Sequence, residues 1–182
     1  MKTLFAATAL ALVAGAAFAQ ENPMVGGAEM LATNDIVSNA VNSADHTTLV
    51  KAVQAAGLVE TLQGAGPFTV FAPTNEAFAA LPEGSVDQLL LPENRERLTQ
   101  VLTCHVVGAE AFSDAIAQMI ADDGGSYAIE TLGGCMVTAA MNGDTLTLTD
   151  EQGRTANVTI PDVDQSNGVI HVIDQVLLPA AG

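Results

Sequence analysis

Cys104 and Cys135 are the only two cysteines of this 182-residue chain, and His46, His105 and His171 are its three histidines. These side chains have the widest chemical reach in the sequence. The cysteines are not a C-x-x-C pair, so a dithiol redox motif is not indicated. In an oxidising compartment their first expectation is an internal disulfide, with free structural thiols and a metal or redox pair as the alternatives. The histidines are too scattered to specify a zinc site, and neither H-E-x-x-H nor G-x-S-x-G occurs. His171 lies among Val169, Ile170, Val172 and Ile173, where a hydrogen-bonded ring inside a core is the expectation. Asp162, Asp164 and Ser166 have the spacing that opens a calcium loop. Asn167, however, replaces the turn glycine and Ile173 stands where a bidentate Glu is required, so no metal and no cofactor is expected. Asn157, Val158 and Thr159 form a glycosylation acceptor by pattern, on a predicted strand, and no role is assigned to it.

Residues 1–19 carry one basic residue, Lys2, then an apolar run and the small-residue ending Ala17, Phe18, Ala19. This reads as a secretory leader cleaved near Ala19, and it places the rest of the chain in the periplasm or outside the cell. The formal net charge is −16, one unit more negative once Lys2 is gone. Such a surface argues against nucleic acid, whose phosphates need Lys and Arg, and against docking to anionic lipid. After Ala19 no apolar run approaches the length of a membrane span, so stable membrane insertion is not expected.

Residues 20–34, with Pro23, Gly26 and Gly27, read as a linker or loose arm, and the domain proper as residues 35–179 with a short tail at 180–182. Apolar residues at helical spacing follow Asp35, and again follow Thr47 or Thr48 as a cap, ending at Gly57. A short helical piece precedes Gly64, Gly66 and Pro67. The stretch 67–78 (PFTVFAPTNEAF) then turns from a buried strand into a helix capped by Thr74 or Asn75. Ser85 to Gln88 match a capping box, and Pro92 opens a further helix. Residues 103–107 read as a strand by composition, so both cysteines are expected on strands. Helical spacing returns over 112–120. Five strands are predicted at 128–132, 135–139, 145–149, 155–160 and 169–178, the last two separated by an exposed loop at 161–168. Grouped helices beside a run of strands indicate an α+β fold.

The stretch 67–78 resembles the first signature of the fasciclin domain family, and 167–179 (NGVIHVIDQVLLP) resembles its second. His105 matches the histidine of the family's Tyr-His pair between them, with Cys104 in the Tyr position. The resemblance implies a fasciclin-like fold, an antiparallel β-sandwich or wedge with several helices packed on one side. It also implies adhesion or partner binding instead of catalysis. Asp162 and Val163 resemble, by position, the Asp-Ile pair to which recognition is attributed in animal members. The binding candidates are therefore Asp162, Val163, Asp164 and His105, and the expected partner is a protein or a cell-surface or matrix component. Phe68, Phe71, Thr74, Asn75, Phe78, Asn167, Gly168 and His171 are expected to be structural. A small-ligand or lipid-binding protein with a pocket among the helices is the alternative, and a monomer is favoured.

Overall fold

A computed structural model of the chain describes residues 22–180; the leader, its cleavage point and the last two residues lie outside the described residues. Helix α1 (Ile36–Ala40) starts where the Asp35 carboxylate accepts from the N–H groups of Val37 and Ser38, both at 3.0 Å. These are donors that a first turn leaves open. Helix α2 (Thr47–Ala56) follows a 3-10 turn (Ala44–His46) and stops at Gly57, whose φ of 74° is the left-handed cap that a β-carbon disfavours. Helices α3 (Val59–Leu62), α4 (Asn75–Ala79), α5 (Ser85–Leu89) and α6 (Arg95–Thr103) come next, the last led in by a 3-10 turn at Pro92–Asn94. Helix α7 (Ser113–Asp122) stands later in the chain.

The strands are β1 (Met24–Val25), β2 (Ala28–Glu29), β3 (Phe68–Pro73), β4 (Val106–Val107), β5 (Ser126–Glu130), β6 (Met136–Asn142), β7 (Thr145–Thr149), β8 (Thr155–Gln165) and β9 (Gly168–Ile173). β1 and β2 form a small hairpin, and the others form one sheet in the order β4-β3-β9-β8-β7-β6-β5. Among the described residues only the β3–β9 pair is parallel. All six residues of β9 are buried, which suits a central strand packed on both faces. Period-two alternation divides the core. Val70 and Ala72 of β3, with Ile170 and Val172 of β9, face α1 to α6, while Phe71 and Ile173 face a second cluster under α7. At the start of β9, Gly168 lies so close to the Phe68 carbonyl that a β-carbon would overlap it.

Several expectations are corrected. Residues 20–34 are not a loose arm where described: the β1–β2 hairpin is docked, and Val25 and Met30 are buried because they complete the apolar cluster beside Ile36. Residues 103–107 are not one strand. Helix α6 continues to Thr103, because Leu98, Val101 and Leu102 keep the helical period against the core, and Cys104 is its C-terminal cap. Ser85 is the first residue of α5 and makes no capping bond. Neither Thr47 nor Thr48 caps α2; the acceptor comes from Asn75. Residues 161–165 continue β8 because β9 offers partners along its full length, so the predicted exposed loop shrinks to a turn at Ser166 and Asn167.

Candidate functional site

Two asparagines in the signatures act as backbone clamps. Asn75 Oδ1 accepts from the Thr48 N–H at 3.0 Å and the Thr47 hydroxyl at 3.2 Å, and its Nδ2 donates to the Ala44 carbonyl at 2.8 Å. It thus holds the start of α2 against α4, whose own first turn is capped by Thr74 through the Ala77 N–H at 3.3 Å. Asn167 Oδ1 accepts from the Ile36 N–H at 3.1 Å, while its Nδ2 donates to the carbonyls of Leu62 and Gly64 at 2.7 and 2.9 Å. One buried amide therefore joins α1, the end of α3 and the β8–β9 turn. Phe71 and Phe78 are core, one in each cluster, and Phe68 is half-buried against the cluster that holds Phe78.

The histidines are the next layer. His105 donates from Nδ1 to the Val101 carbonyl at 2.7 Å and accepts at Nε2 from the Leu177 N–H at 2.8 Å. Those two partners require the neutral ring. Burial pushes its pKa down to about 4, against the opposing pull of the Val101 bond. His171 accepts at Nδ1 from the Asp162 N–H at 3.2 Å and donates from Nε2 to the Ala111 carbonyl at 2.8 Å. Burial lowers its pKa too, opposed by Ala111 and by the Asp162 carboxylate, and the ring stacks on Phe71 with centroids 5.7 Å apart. His46 sits between the Ser43 hydroxyl at 2.9 Å and the Ala72 carbonyl at 3.4 Å, again with a pKa lowered by burial. Each ring has both nitrogens committed to a neighbour.

The candidate binding residues fall into the scaffold. Asp162 has a φ of 58°, and its Oδ1 accepts from the Ser113 N–H at 2.6 Å while Oδ2 bonds the Ser113 hydroxyl. It caps α7 from outside that helix. Val163 is fully buried, so it offers no surface to a partner, because its side chain belongs to the cluster under α1 and α2. Asp164 is half-buried on β8 opposite Val169. His105 is also buried, so its bonds are internal. Cys104 and Cys135 are joined, with Cα atoms 5.3 Å apart, tying the end of α6 to the residue before β6.

Other polar residues had no signature to mark them. Asp150, its side chain 2% exposed, accepts from Arg154 Nε at 3.1 Å and from the N–H groups of Gln152, Arg154 and Leu178 at 2.9 to 3.0 Å. The Asp-x-x-x-Arg spacing across the β7–β8 turn was the available signal. Asp174 receives the N–H and the side-chain amide of Asn157, both at 2.7 Å, so that amide is engaged in the fold and not offered for glycosylation. Buried Asn39 bonds the Gln165 side chain across 126 positions, which no local pattern marks. Among the described residues no buried side-chain polar atom lacks a partner, and no group of three or more His, Cys, Asp or Glu side chains is placed to hold a metal ion.

A slot between α1, α2, α3 and β3 is lined by Ile36, Leu49, Val53, Leu62 and Val70, and its volume is about 40 Å³. Ligand pockets run to roughly 300–1,000 Å³. No helix among the described residues is long and apolar enough to cross a membrane.

The chain is 43% identical over 197 residues to protein sll1483 of Synechocystis sp., covering 98% of this chain and 99% of that one. It is 34% identical to the immunogenic protein MPB70 of Mycobacterium bovis, over 78% of this chain and 67% of the relative. Transforming growth factor-beta-induced protein ig-h3 of Sus scrofa is 37% identical over 73% of this chain, which spans 17% of that larger protein. Among solved structures, a FAS1 domain pair from the insect cell adhesion molecule fasciclin I superposes with a TM-score of 0.70 at 17% identity, covering 82% of this chain and 51% of the other. That likeness establishes the wedge-shaped α+β fold. The sequence profile of the Fasciclin domain matches residues 44–179, and the chain belongs to the fasciclin domain family.

Proposed function

We propose that the chain is an exported adhesion or protein-interaction module, acting at a cell surface, in a matrix or in the periplasm once residues 1–19 are removed. Its working unit is one fasciclin domain over residues 35–179, with the β1–β2 hairpin as part of the body, and it acts as a monomer. The observation that carries this reading is the inward commitment of the signature side chains. Asn75, Asn167, His105 and His171 each hold backbone groups of other elements, and no ring nitrogen is left to move a proton. What meets the surroundings is an acidic exterior on a rigid wedge. The insect relative of the same fold is a cell adhesion molecule by name, which points the same way. The apolar slot between α1, α2 and α3 is too small for a lipid, and the larger cleft beside α5 and α6, about 320 Å³, carries Gln88, Asn94, Arg97 and Gln152 among its lining.

Attachment tests this directly. Surfaces coated with residues 20–182, either folded or reduced and unfolded, are exposed to cells of the source and to their matrix fraction. Retention on the folded coating alone is expected. Equal retention on both coatings, or on neither, refutes the reading.

A further inference from the structure

The seven-stranded sheet ends in two edges, β4 and β5, which meet at one end only. There the Leu132 N–H donates to the Val106 carbonyl at 2.8 Å and the Gly133 N–H to the Thr103 carbonyl at 3.1 Å, beside the Cys104–Cys135 bond. Beyond that point the edges part. A cleft of about 280 Å³ lies between residues 107–111 on one side and 127–130 on the other, floored by Phe71, Ile116, Met119 and Ile129.

The ladders show which backbone groups face this cleft. The Thr131 N–H donates to the Cys135 carbonyl, and the register pairs Ile129 with Val137 and Tyr127 with Ala139. Antiparallel pairs alternate in hydrogen bonding, so the odd-numbered residues of β5 bond β6, while Ala128 and Glu130 aim their N–H and C=O away from it. Leu132, next in that series, does reach across, to Val106. On the other rim, Val107 pairs with Thr69, the Ala109 carbonyl accepts from the Thr69 hydroxyl at 2.6 Å and the Ala111 N–H donates to the same oxygen at 2.9 Å. Gly108 and Glu110 alternate with these residues along the rim and are exposed. The open edge of β5 thus flanks an apolar floor, an arrangement that accepts an added strand. Both rims also carry an exposed glutamate, Glu110 and Glu130. A second copy paired along β5 would bring two strongly acidic surfaces together at net charge −16 each, which like charges disfavour.

We propose that this cleft takes an extended segment of a partner protein in which aliphatic and basic side chains alternate. The segment bonds Ala128 and Glu130 through its backbone, inserts its aliphatic side chains toward Ile116 and Met119, and sets its basic ones beside Glu110 and Glu130. This rests on the reading of the chain as a protein-interaction module and specifies the mode of that interaction.

The test uses the oxidised chain of residues 20–182 and two labelled, end-blocked hexapeptides, Lys-Val-Lys-Val-Lys-Val and its block isomer Lys-Lys-Lys-Val-Val-Val. Anisotropy titrations are paired with hydrogen exchange of the Ala128 and Glu130 amides. The alternating peptide is expected to bind saturably, about tenfold tighter than its isomer, and to protect both amides. Ala128→Pro removes an outward N–H that β6 does not use and weakens binding about tenfold. The double variant Glu110→Gln/Glu130→Gln, confined to exposed positions, weakens binding several-fold and serves if the proline variant does not fold. Absence of saturable binding, equal affinity for the two peptides, or binding that leaves both amides unprotected overturns the proposal. So does an unchanged affinity in a natively folded Ala128→Pro variant. Cell attachment separates the two readings: wild-type attachment that Ala128→Pro leaves intact sinks the cleft alone, and absent wild-type attachment sinks the module itself.

Discussion

Replacing His105 by Gln isolates one source of acid lability in the fold. In the native state the ring is neutral, donating to Val101 and accepting from Leu177, and its pKa falls from 6.5 to about 4, first because it is buried. In the unfolded chain the same ring takes up a proton as pH drops below 6.5. Between pH 6.5 and 4 the unfolded state therefore binds more protons than the native one, and stability falls as pH falls. At 1.36 kcal/mol per pKa unit, the loss from this one residue is about 3 kcal/mol, complete only near the folded pKa of about 4. His46 and His171, whose pKa values are also lowered by burial, add to the loss in the same direction. In His105→Gln the stability at pH 7 drops by about 1–3 kcal/mol, since the Val101 carbonyl and the Leu177 N–H are less well matched. The decline between pH 6.5 and 4 becomes correspondingly shallower. With no tryptophan in the chain, urea transitions followed by far-ultraviolet circular dichroism at several pH values are the suitable assay. The titration of the acids is common to both proteins and cancels in their difference. An identical pH slope for wild type and variant would falsify the assignment of a neutral, buried His105.

Three further outcomes are expected. Reducing the Cys104–Cys135 bond, which closes a loop of 31 residues, lowers stability by roughly 3–4 kcal/mol in the chain-entropy account, read as a lower urea midpoint; an unchanged midpoint contradicts it. Asn167→Ala strands the Ile36 N–H and the Leu62 and Gly64 carbonyls and costs about 3 kcal/mol or more. Asn167→Asp is worse at pH 7, because it turns a carboxylate toward those two carbonyls, and a milder Asp variant in the same denaturation assay counts against the clamp. Asp162→Ala removes the outside cap of α7 at a residue with positive φ and costs about 1–2 kcal/mol, whereas Asp162→Asn, which tolerates that backbone and still accepts from the Ser113 N–H, costs less. Hydrogen exchange in the first turn of α7 reports it, and equal protection in both variants refutes the capping role.

What was legible in the sequence was whatever depends on local pattern. The apolar residues on either side of His171 announced β9 as a core strand, and Gly57 marked the end of α2 by its freedom to take positive φ. Thr74 was readable as a cap because its partner is three residues away. Asn75 was not readable as the cap of α2, since the donor it meets belongs to Thr48, 27 positions earlier. Composition misled at residues 103–107, where β-branched side chains suggested a strand while the core-facing period of Leu98, Val101 and Leu102 carried α6 through Thr103. It misled again at Pro161 to Asp164, where a proline and two acids suggest a loop. A strand can absorb them when it bulges, and β8 shifts register between Ile160 and Val163.

That bulge also bears on where a partner binds. It re-aims Asp162, so that its N–H meets His171 and its carboxylate meets Ser113. The acid that family resemblance marks for recognition thereby becomes the joint between the sheet and α7. Helix α7 in turn supplies Ile116 and Met119 to the floor of the cleft between β4 and β5. Loss of Asp162 is therefore expected to weaken a partner in that cleft without touching it, by loosening the helix beneath. Hydrogen exchange of α7 and peptide affinity should fall together in Asp162→Ala and both recover in Asp162→Asn. A variant that lost affinity while keeping α7 protected would return Asp162 to the binding surface itself.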